Sequence, residues 1–434
     1  MISLVIDNSY SQVVGLKPEA FKALREALSY RPDAQATFFS GRPPALRYCI
    51  DKKGFFASGL LIRVKEFMAK HGIAHTISDK RVKPSISPIL APPLPIKPHQ
   101  YQVEAVERAF AKGRGGLEMV TGSGKSITMA LLINRFQLKT LVIVPNLGLK
   151  EQLTATFKAL FGNLKNITVE NIDSPRLKTA TNYDLLLIDE AHHSSSKTYR
   201  DLNRTAWKNI YHRFFFTGTF FRNQEEEALL FESIAGRLIF SFGYQAGVAA
   251  KTIVPVESYY IEVPKQETDG YTWAQVYKEL VINNHARNAL IATLMASLQA
   301  AEAYTLCLVK EIAHGNILSE LTGIPFVNGQ DEETKKYINL FNAGKIKALI
   351  GTTGVIGEGI DTKPCEYVII AGLGKAKSAF QQQVGRGIRT YPGKESAKII
   401  IFKDKSHKFT LTHFNTEAKL LKEEYQSKPE KLEI

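Results

Sequence analysis

Residues 117–136 read LEMVTGSGKSITMALLINRF. A short apolar run enters a turn containing Gly122 and Gly124, and a stretch of helix formers follows. The glycines let the backbone turn tightly, so that successive N–H groups face inward on a phosphate. A helix opening near Ser126 adds its positive N-terminal end. Lys125 would then reach the terminal phosphates of a nucleotide, and the Ser126 hydroxyl would bind Mg²⁺. Thr121, Gly122, Ser123, Gly124, Lys125 and Ser126 form the expected phosphate-binding set. Met119 stands where such a loop ordinarily opens with glycine.

A second stretch, LLLIDEAHH at 185–193, ends an apolar strand, and its Asp189 lies 64 residues beyond Lys125. In open α/β sheets the strand ends form the ligand crevice. Asp189 is placed to hold the Mg²⁺ that Ser126 touches. Glu190 is placed to orient and deprotonate the water that attacks the γ-phosphate. A zinc site would want histidines spaced as in HExxH on a helix, plus a third ligand. His192 and His193 are adjacent and diverge on any regular element, so zinc is the poorer fit; His193 reads as an ordinary loop histidine.

The chain has 434 residues, 44% hydrophobic and 23% charged, the balance of a soluble protein of two or three domains. Its net charge of +14, from 56 basic and 42 acidic residues, favours a polyanionic partner such as nucleic acid. Cys49, Cys307 and Cys365 are scattered, which argues against a disulfide framework or a cysteine zinc site and for a reducing, cytoplasmic home. The opening MISLVIDNSYSQ lacks the basic flank and long apolar core of a signal peptide, and no apolar run is long enough to cross a bilayer.

Residues 82–98, VKPSISPILAPPLPIKP, hold six prolines in 17 positions, the mark of an extended linker. The module before it, residues 1–83, carries 14 Lys/Arg against 7 Asp/Glu. Its pattern predicts strands at ISLVI, ATFF, LRYCI and GLLIRV, and a helix at KPEAFKALREAL. Within it, FFSGRPPALRYCIDKKGFF (38–56) mixes cations with aromatics, which suits nucleic-acid contacts and equally suits the core of a small domain. Beyond the linker, near-continuous apolar strands alternate with helices: TLVIVP, NITVENI, DLLLID, RFFFTGT, SYYIEV, TLCLV, KALIGTT, EYVIIAG and AKIIIF. Such strands imply parallel sheets covered on both faces. The irregular stretch at 241–275 marks a further boundary, so two α/β domains are expected in tandem. HKFTLTHFNTEAKLLKEEY (407–425) predicts a closing amphipathic helix.

Taken together, TGSGKS, DEAHH and TGT (217–219) resemble motifs I, II and III of the superfamily 2 helicases. GTTGVIGEGID (351–361) is similar to motif V, and QQQVGRGIR (381–389) to motif VI through Gln382, Gly385, Arg386 and Arg389. HQYQVEA (99–105) resembles the Q motif and TLVIVPNLGLKEQL (140–153) motif Ia. DEAH and TGT depart from the DEAD and SAT of DEAD-box RNA helicases. The motifs and the compact N-terminal module most resemble the UvsW-like branch-migration DNA helicases of phages.

The resemblance implies an α/β protein of two tandem RecA-like parallel-sheet domains plus a small α+β N-terminal domain. The boundaries would be 1–83 for the basic nucleic-acid-binding domain, 84–98 for the linker, 99–245 for the first RecA-like domain and 246–434 for the second with its C-terminal helix. It implies ATP and Mg²⁺, with Gln102 reading adenine, Gly359 and Asp361 on the ribose side, and Arg386 and Arg389 stabilising charge as the phosphate bond breaks. Pro145, Asn146, Thr352 and Thr353 would grip the strand through its phosphates, with Lys150 a further candidate. The expected partner is branched or forked DNA bound without sequence preference, with recombination or replication proteins as candidate associates. The motor would be a monomer working in the cytoplasm (of the host, for a phage protein). An RNA unwindase, a duplex translocase that leaves strands paired and a non-hydrolysing clamp are the competing readings. Glu190 and the two arginines argue against the clamp.

Overall fold

The computed structural model describes residues 1–31, 45–191, 196–218, 225–270, 272–357, 362, 364–372, 374 and 377–434. The chain forms two compact units, Met1–Met119 with Gly124–Phe242, and Val120–Ser123 with Gly243–Ile434.

The strands of the first unit are β1 (Ser3–Ile6), β2 (Tyr10–Val14), β3 (Ser29–Tyr30), β4 (Arg47–Tyr48), β5 (Phe55–Ala57), β6 (Thr76–Asp79), β7 (Arg114–Met119), β8 (Thr140–Val144), β9 (Ile167–Asn171), β10 (Leu185–Ile188), β11 (His212–Thr217) and β12 (Leu238–Phe242). β5-β2-β1-β6 form a small mixed sheet and β3-β4 a short pair, while β12-β7-β11-β10-β8-β9 form a six-stranded sheet. Every pairing in the six-stranded sheet is parallel. β8 and β10 are buried at every position, as a sheet covered on both faces requires. The order also matters for chemistry. β11 lies between β7 and β10, so the turn after β7 and the acids after β10 emerge at one sheet edge.

The N-terminal sheet docks on the larger one through specific groups. Leu229 and Leu230, on the helix Glu225–Ala235, belong to the same core as Leu4, Ile6, Val13 and Phe56. Arg213 on β11 is fully buried and donates to Ser9 Oγ at 2.7 Å, Trp207 O at 2.6 Å and Ile210 O at 3.0 Å, and also to Asn203 Oδ1. Arg114 donates to Asn8 O at 2.8 Å, and Arg63 pairs with Glu232 at 2.7 Å. The proline-rich stretch lies against the same unit, where Asn134 donates to Pro92 O and Gln137 to Ile89 O.

Two expectations for the N-terminal module need correction. GLLIRV is not a strand; Ser58–Leu60 form a 3₁₀ turn and Leu61–Lys70 an α-helix. Its buried residues Leu60, Val64 and Met68 recur every four positions, a helical period that the short apolar run conceals. LRYCI is strand only at Arg47–Tyr48, with a bridge from Ile50 to Phe56. ATFF lies outside the described residues. KPEAFKALREAL does form a helix, Pro18–Ala27, with proline in its first turn where the missing N–H does no harm.

The second unit holds β13 (Val256–Val263), β14 (Thr305–Val309), β15 (Phe326–Val327), β16 (Ala348–Thr352), β17 (Tyr367–Ile370), β18 (Ala397–Asp404) and β19 (Glu430–Lys431). They form one sheet in the order β15-β16-β14-β17-β18-β13-β19, parallel throughout. The closing helix is Lys408–Tyr425. The chain is thus an α/β protein with two RecA-like sheets and a small mixed N-terminal sheet.

Candidate active site

Lys125 opens the helix Lys125–Phe136, directly after β7 and the glycine turn. Gly122 and Gly124 take φ of 89° and 79°, a left-handed backbone that favours glycine. At Gly124 a Cβ would lie 2.7 Å from Gln102 Nε2, so a side chain there would push the Gln102 amide aside. The Ser123 hydroxyl donates back to Val120 O at 2.7 Å and braces the turn. Ser126 is half-buried in the first helical turn. A left-handed turn feeding a helix start, with a lysine and a hydroxyl at its head, fits a nucleotide phosphate and its counter-ion.

Asp189 follows β10 and is buried; its N–H continues the ladder to Ile143 O at 2.9 Å. One Asp189 carboxylate oxygen accepts from Glu190 N at 2.9 Å. Glu190 itself sits at φ 46°, a left-handed conformation rare for a non-glycine residue and often kept at functional sites. That turn brings its carboxylate to Lys125, with Nζ to Oε1 at 2.7 Å. Two residues 65 positions apart are thereby joined in a partly shielded ion pair, each side chain less than a fifth exposed. An incoming γ-phosphate would compete for Lys125 and release Glu190 toward water. Among the described residues no group of three or more His, Cys, Asp or Glu could hold a metal; one carboxylate and one hydroxyl suit a Mg²⁺ that keeps most of its waters.

Gln102 is buried on the helix Gln100–Lys112, accepting from His99 N at 3.0 Å and donating to Gly124 O at 3.5 Å. It therefore ties that helix start to the phosphate turn, a bracing role that sequence reading missed. The HxxQ spacing of a capping box was its signal. Thr217 ends β11 in full burial, and Thr219 lies outside the described residues, as do His192 and His193.

Pro145 and Asn146 follow β8, half-buried. Asn146 caps the helix Leu147–Phe161, its side chain accepting from Leu149 N at 2.9 Å. Lys150 is held by Glu170 at 2.7 Å. Burial would raise that carboxyl, but hydrogen bonds from Lys150 and Ser174 outweigh it and hold it below its usual range.

In the second unit Thr352 ends β16 and Thr353 starts the helix Thr353–Gly357. Gly359 and Asp361 lie outside the described residues. Arg386 lies on the helix Lys377–Gly387 and is buried, with its carbonyl accepting from Thr362 Oγ1 at 3.4 Å. Arg389 follows that helix and bridges to Ile253. Lys394 donates to the carbonyls of Gly387 and, at 2.8 Å, Arg389, bracing the end of that helix and the turn that carries Arg389. Burial pushes its ammonium down to about 8.

Two family models match the chain: the type III restriction enzyme res subunit over residues 95–179, and the helicase conserved C-terminal domain over residues 279–391. The first spans Gln102 and the glycine turn, the second Thr352, Arg386 and Arg389. Among curated proteins, the ATP-dependent DNA helicase uvsW of Enterobacteria phage T4 is 23% identical over 70% of this chain and 68% of its own. The DNA 3′-5′ translocase XPB2 of Sulfurisphaera tokodaii is 22% identical over 68% of this chain and 79% of its own. Among solved structures, an HsdR subunit fragment of a type I restriction enzyme from Vibrio vulnificus aligns with a TM-score of 0.60 at 18% identity, over 79% of this chain and 69% of that one. Both family models and both relatives make the chain similar to the superfamily 2 helicases, and among them to the ATP-dependent DNA helicases of the UvsW kind.

Proposed function

We propose that the protein is an ATP-driven motor that unwinds or remodels branched DNA, by fork regression and by branch migration of four-way junctions, in replication, recombination or repair. The observation that carries the reading is the meeting of Lys125 and Glu190 at 2.7 Å beside Asp189, at one edge of the first sheet. Lys125 binds the terminal phosphates, and Glu190 takes the proton of the attacking water. Arg386 and Arg389 supply positive charge as the bond to the leaving phosphate breaks, while Gln102, Gly359 and Asp361 hold the rest of the nucleotide. Ser126 and Asp189 would hold Mg²⁺, which when bound neutralises phosphate charge.

DNA as substrate is supported by the charge of +14 and by the likeness to relatives named for DNA. Pro145, Asn146, Thr352 and Thr353 would contact phosphates rather than bases, which suits a motor indifferent to sequence. Residues 1–83 would form the nucleic-acid-binding domain, 84–98 the linker, 99–245 and 246–434 the two motor domains.

A panel of single strand, fork, D-loop and four-way junction, each in DNA and RNA, tests this. The reading expects ATP hydrolysis stimulated by DNA above RNA, and separation or migration of the branched substrates. Equal stimulation by RNA would favour an RNA unwindase. Displacement of a third strand without duplex separation would favour a duplex translocase.

A further inference from the structure

A cavity of about 390 Å³ opens between the N-terminal sheet and the helix Lys197–Arg204. One wall is aromatic. Tyr48 and Phe55 line it with about two fifths of their surface exposed, and Tyr10 lies on the same side. The other wall is cationic. Lys197, Arg200 and Arg204 recur at three and four positions along one helix, so they share a face. Arg204 lies over the Tyr10 ring at 5.2 Å, and Arg25 over the Tyr48 ring at 4.1 Å. The Arg25 Nε is buried and, among the described residues, has no hydrogen-bond partner. Asp51, the acid on the aromatic side, already accepts from Lys53 N and Phe55 N. Asp201 lies between the two arginines, so the wall retains a cationic excess.

Half-exposed aromatic rings facing a row of cations match one chemistry well: a planar base stacked on the rings and a phosphate held by guanidinium groups. The volume falls in the roughly 300–1,000 Å³ range of small-molecule sites, room for a nucleotide and none for a duplex. We infer that this cavity binds one unpaired nucleotide of a DNA strand, with its base against Tyr48 and Phe55 and its phosphate on Arg200 and Arg204. The inference rests on the reading of the chain as a DNA motor and adds a second grip, remote in sequence from the phosphate-contacting residues of the sheet edges. At a junction or fork, such a site would mark the point where a base leaves the duplex.

The test is binding without ATP, so that failure of the motor reading and failure of this one are separable. Fluorescence anisotropy compares a duplex bearing a short unpaired tail with the same duplex blunt. The wild-type protein is expected to prefer the tailed duplex. Tyr48→Ala is expected to reduce that preference about fivefold or more, the loss of one base–aromatic stack. In the double variant Arg200→Ala/Arg204→Ala, the log–log salt dependence of tailed-duplex binding should become shallower by about 0.7 for each phosphate no longer neutralised. Circular dichroism melts establish that each variant is folded. A measurement on the wild type stands beside them. Cys49 lines the cavity and its thiol is pushed up to about 11 by burial, while Cys307 and Cys365 are buried elsewhere. Alkylation of Cys49 at alkaline pH should be slowed more by tailed than by blunt DNA. Equal affinity of the wild type for the two duplexes, unchanged preference in the variants, or equal protection of Cys49 would each overturn the inference.

Discussion

Gly59→Ala tests whether the N-terminal sheet is rigidly seated on the first parallel sheet. Gly59 has no left-handed backbone to excuse it, so the effect of a side chain there is steric alone. A Cβ would stand 2.0 Å from Glu232 O and 2.6 Å from Ser233 O, both backbone atoms of the helix Glu225–Ala235. Neither can rotate away. Real Cβ contacts do not fall below 3.0 Å, so the helix and the 3₁₀ turn Ser58–Leu60 must part by about 1 Å. Overpacking of this kind costs about 1–3 kcal/mol. The Arg63–Glu232 pair, half exposed on the arginine side, adds less than about 1 kcal/mol when the helix moves. A loss of roughly 1–4 kcal/mol lowers Tm by about 2–16 °C in a unit of this size. Differential scanning fluorimetry reads the shift. Gly148→Ala is the control, because its Cβ would meet only Asn146 Oδ1 at an ordinary 3.5 Å; it should move Tm by under about 2 °C. A Gly59→Ala protein that melts with the wild type would refute the tight seating of the module.

Other perturbations test separate parts of the account. Asn146→Ala removes a helix cap and should cost about 1 kcal/mol of stability, while Asn146→Asp keeps the cap and puts a negative charge where a phosphate is expected. The aspartate variant should melt like the wild type yet bind DNA more weakly, measured by anisotropy. Burial raises the Glu417 carboxyl to about 8, with nearby Arg287 opposing. The folded state therefore holds a proton that the unfolded state releases near 4.5, so this residue's contribution to stability is present below that pH and is lost as pH rises toward 8. Glu417→Gln should raise Tm at pH 8 more than at pH 5, read by calorimetry at the two pH values. Arg386→Ala should lower kcat for ATP by about 10³-fold or more with ATP binding largely retained, by stopped-flow and steady-state kinetics.

The geometry of the candidate site was legible where it is written locally. The glycine turn needs glycine for its backbone, and the acids need a strand end, so TGSGKS and LLLIDEAHH announce both their residues and their fold. Near-continuous apolar runs such as TLVIV and AKIIIF announced parallel strands for the same reason, since burial on both faces leaves no alternation. What stayed hidden depends on distant partners. GLLIRV is apolar enough for a strand, and only the burial of Leu60, Val64 and Met68 against one core reveals its helical period. Arg213 sits in a buried strand with no local hint that Ser9, 204 residues away, accepts its hydrogen bond. The Lys125–Glu190 pair depends on a left-handed backbone at Glu190 that no residue preference predicts.

The central claim is that Lys125, Asp189 and Glu190 form one hydrolytic site. Glu190→Gln removes the acid's charge and loosens its hold on Lys125 while leaving the phosphate turn intact. The measurement is ATP affinity and steady-state hydrolysis on the same Glu190→Gln preparation, with and without forked DNA. The account predicts ATP binding at least as tight as in the wild type and a DNA-stimulated kcat lower by about 10²-fold or more. Hydrolysis by Glu190→Gln at the wild-type rate would contradict it.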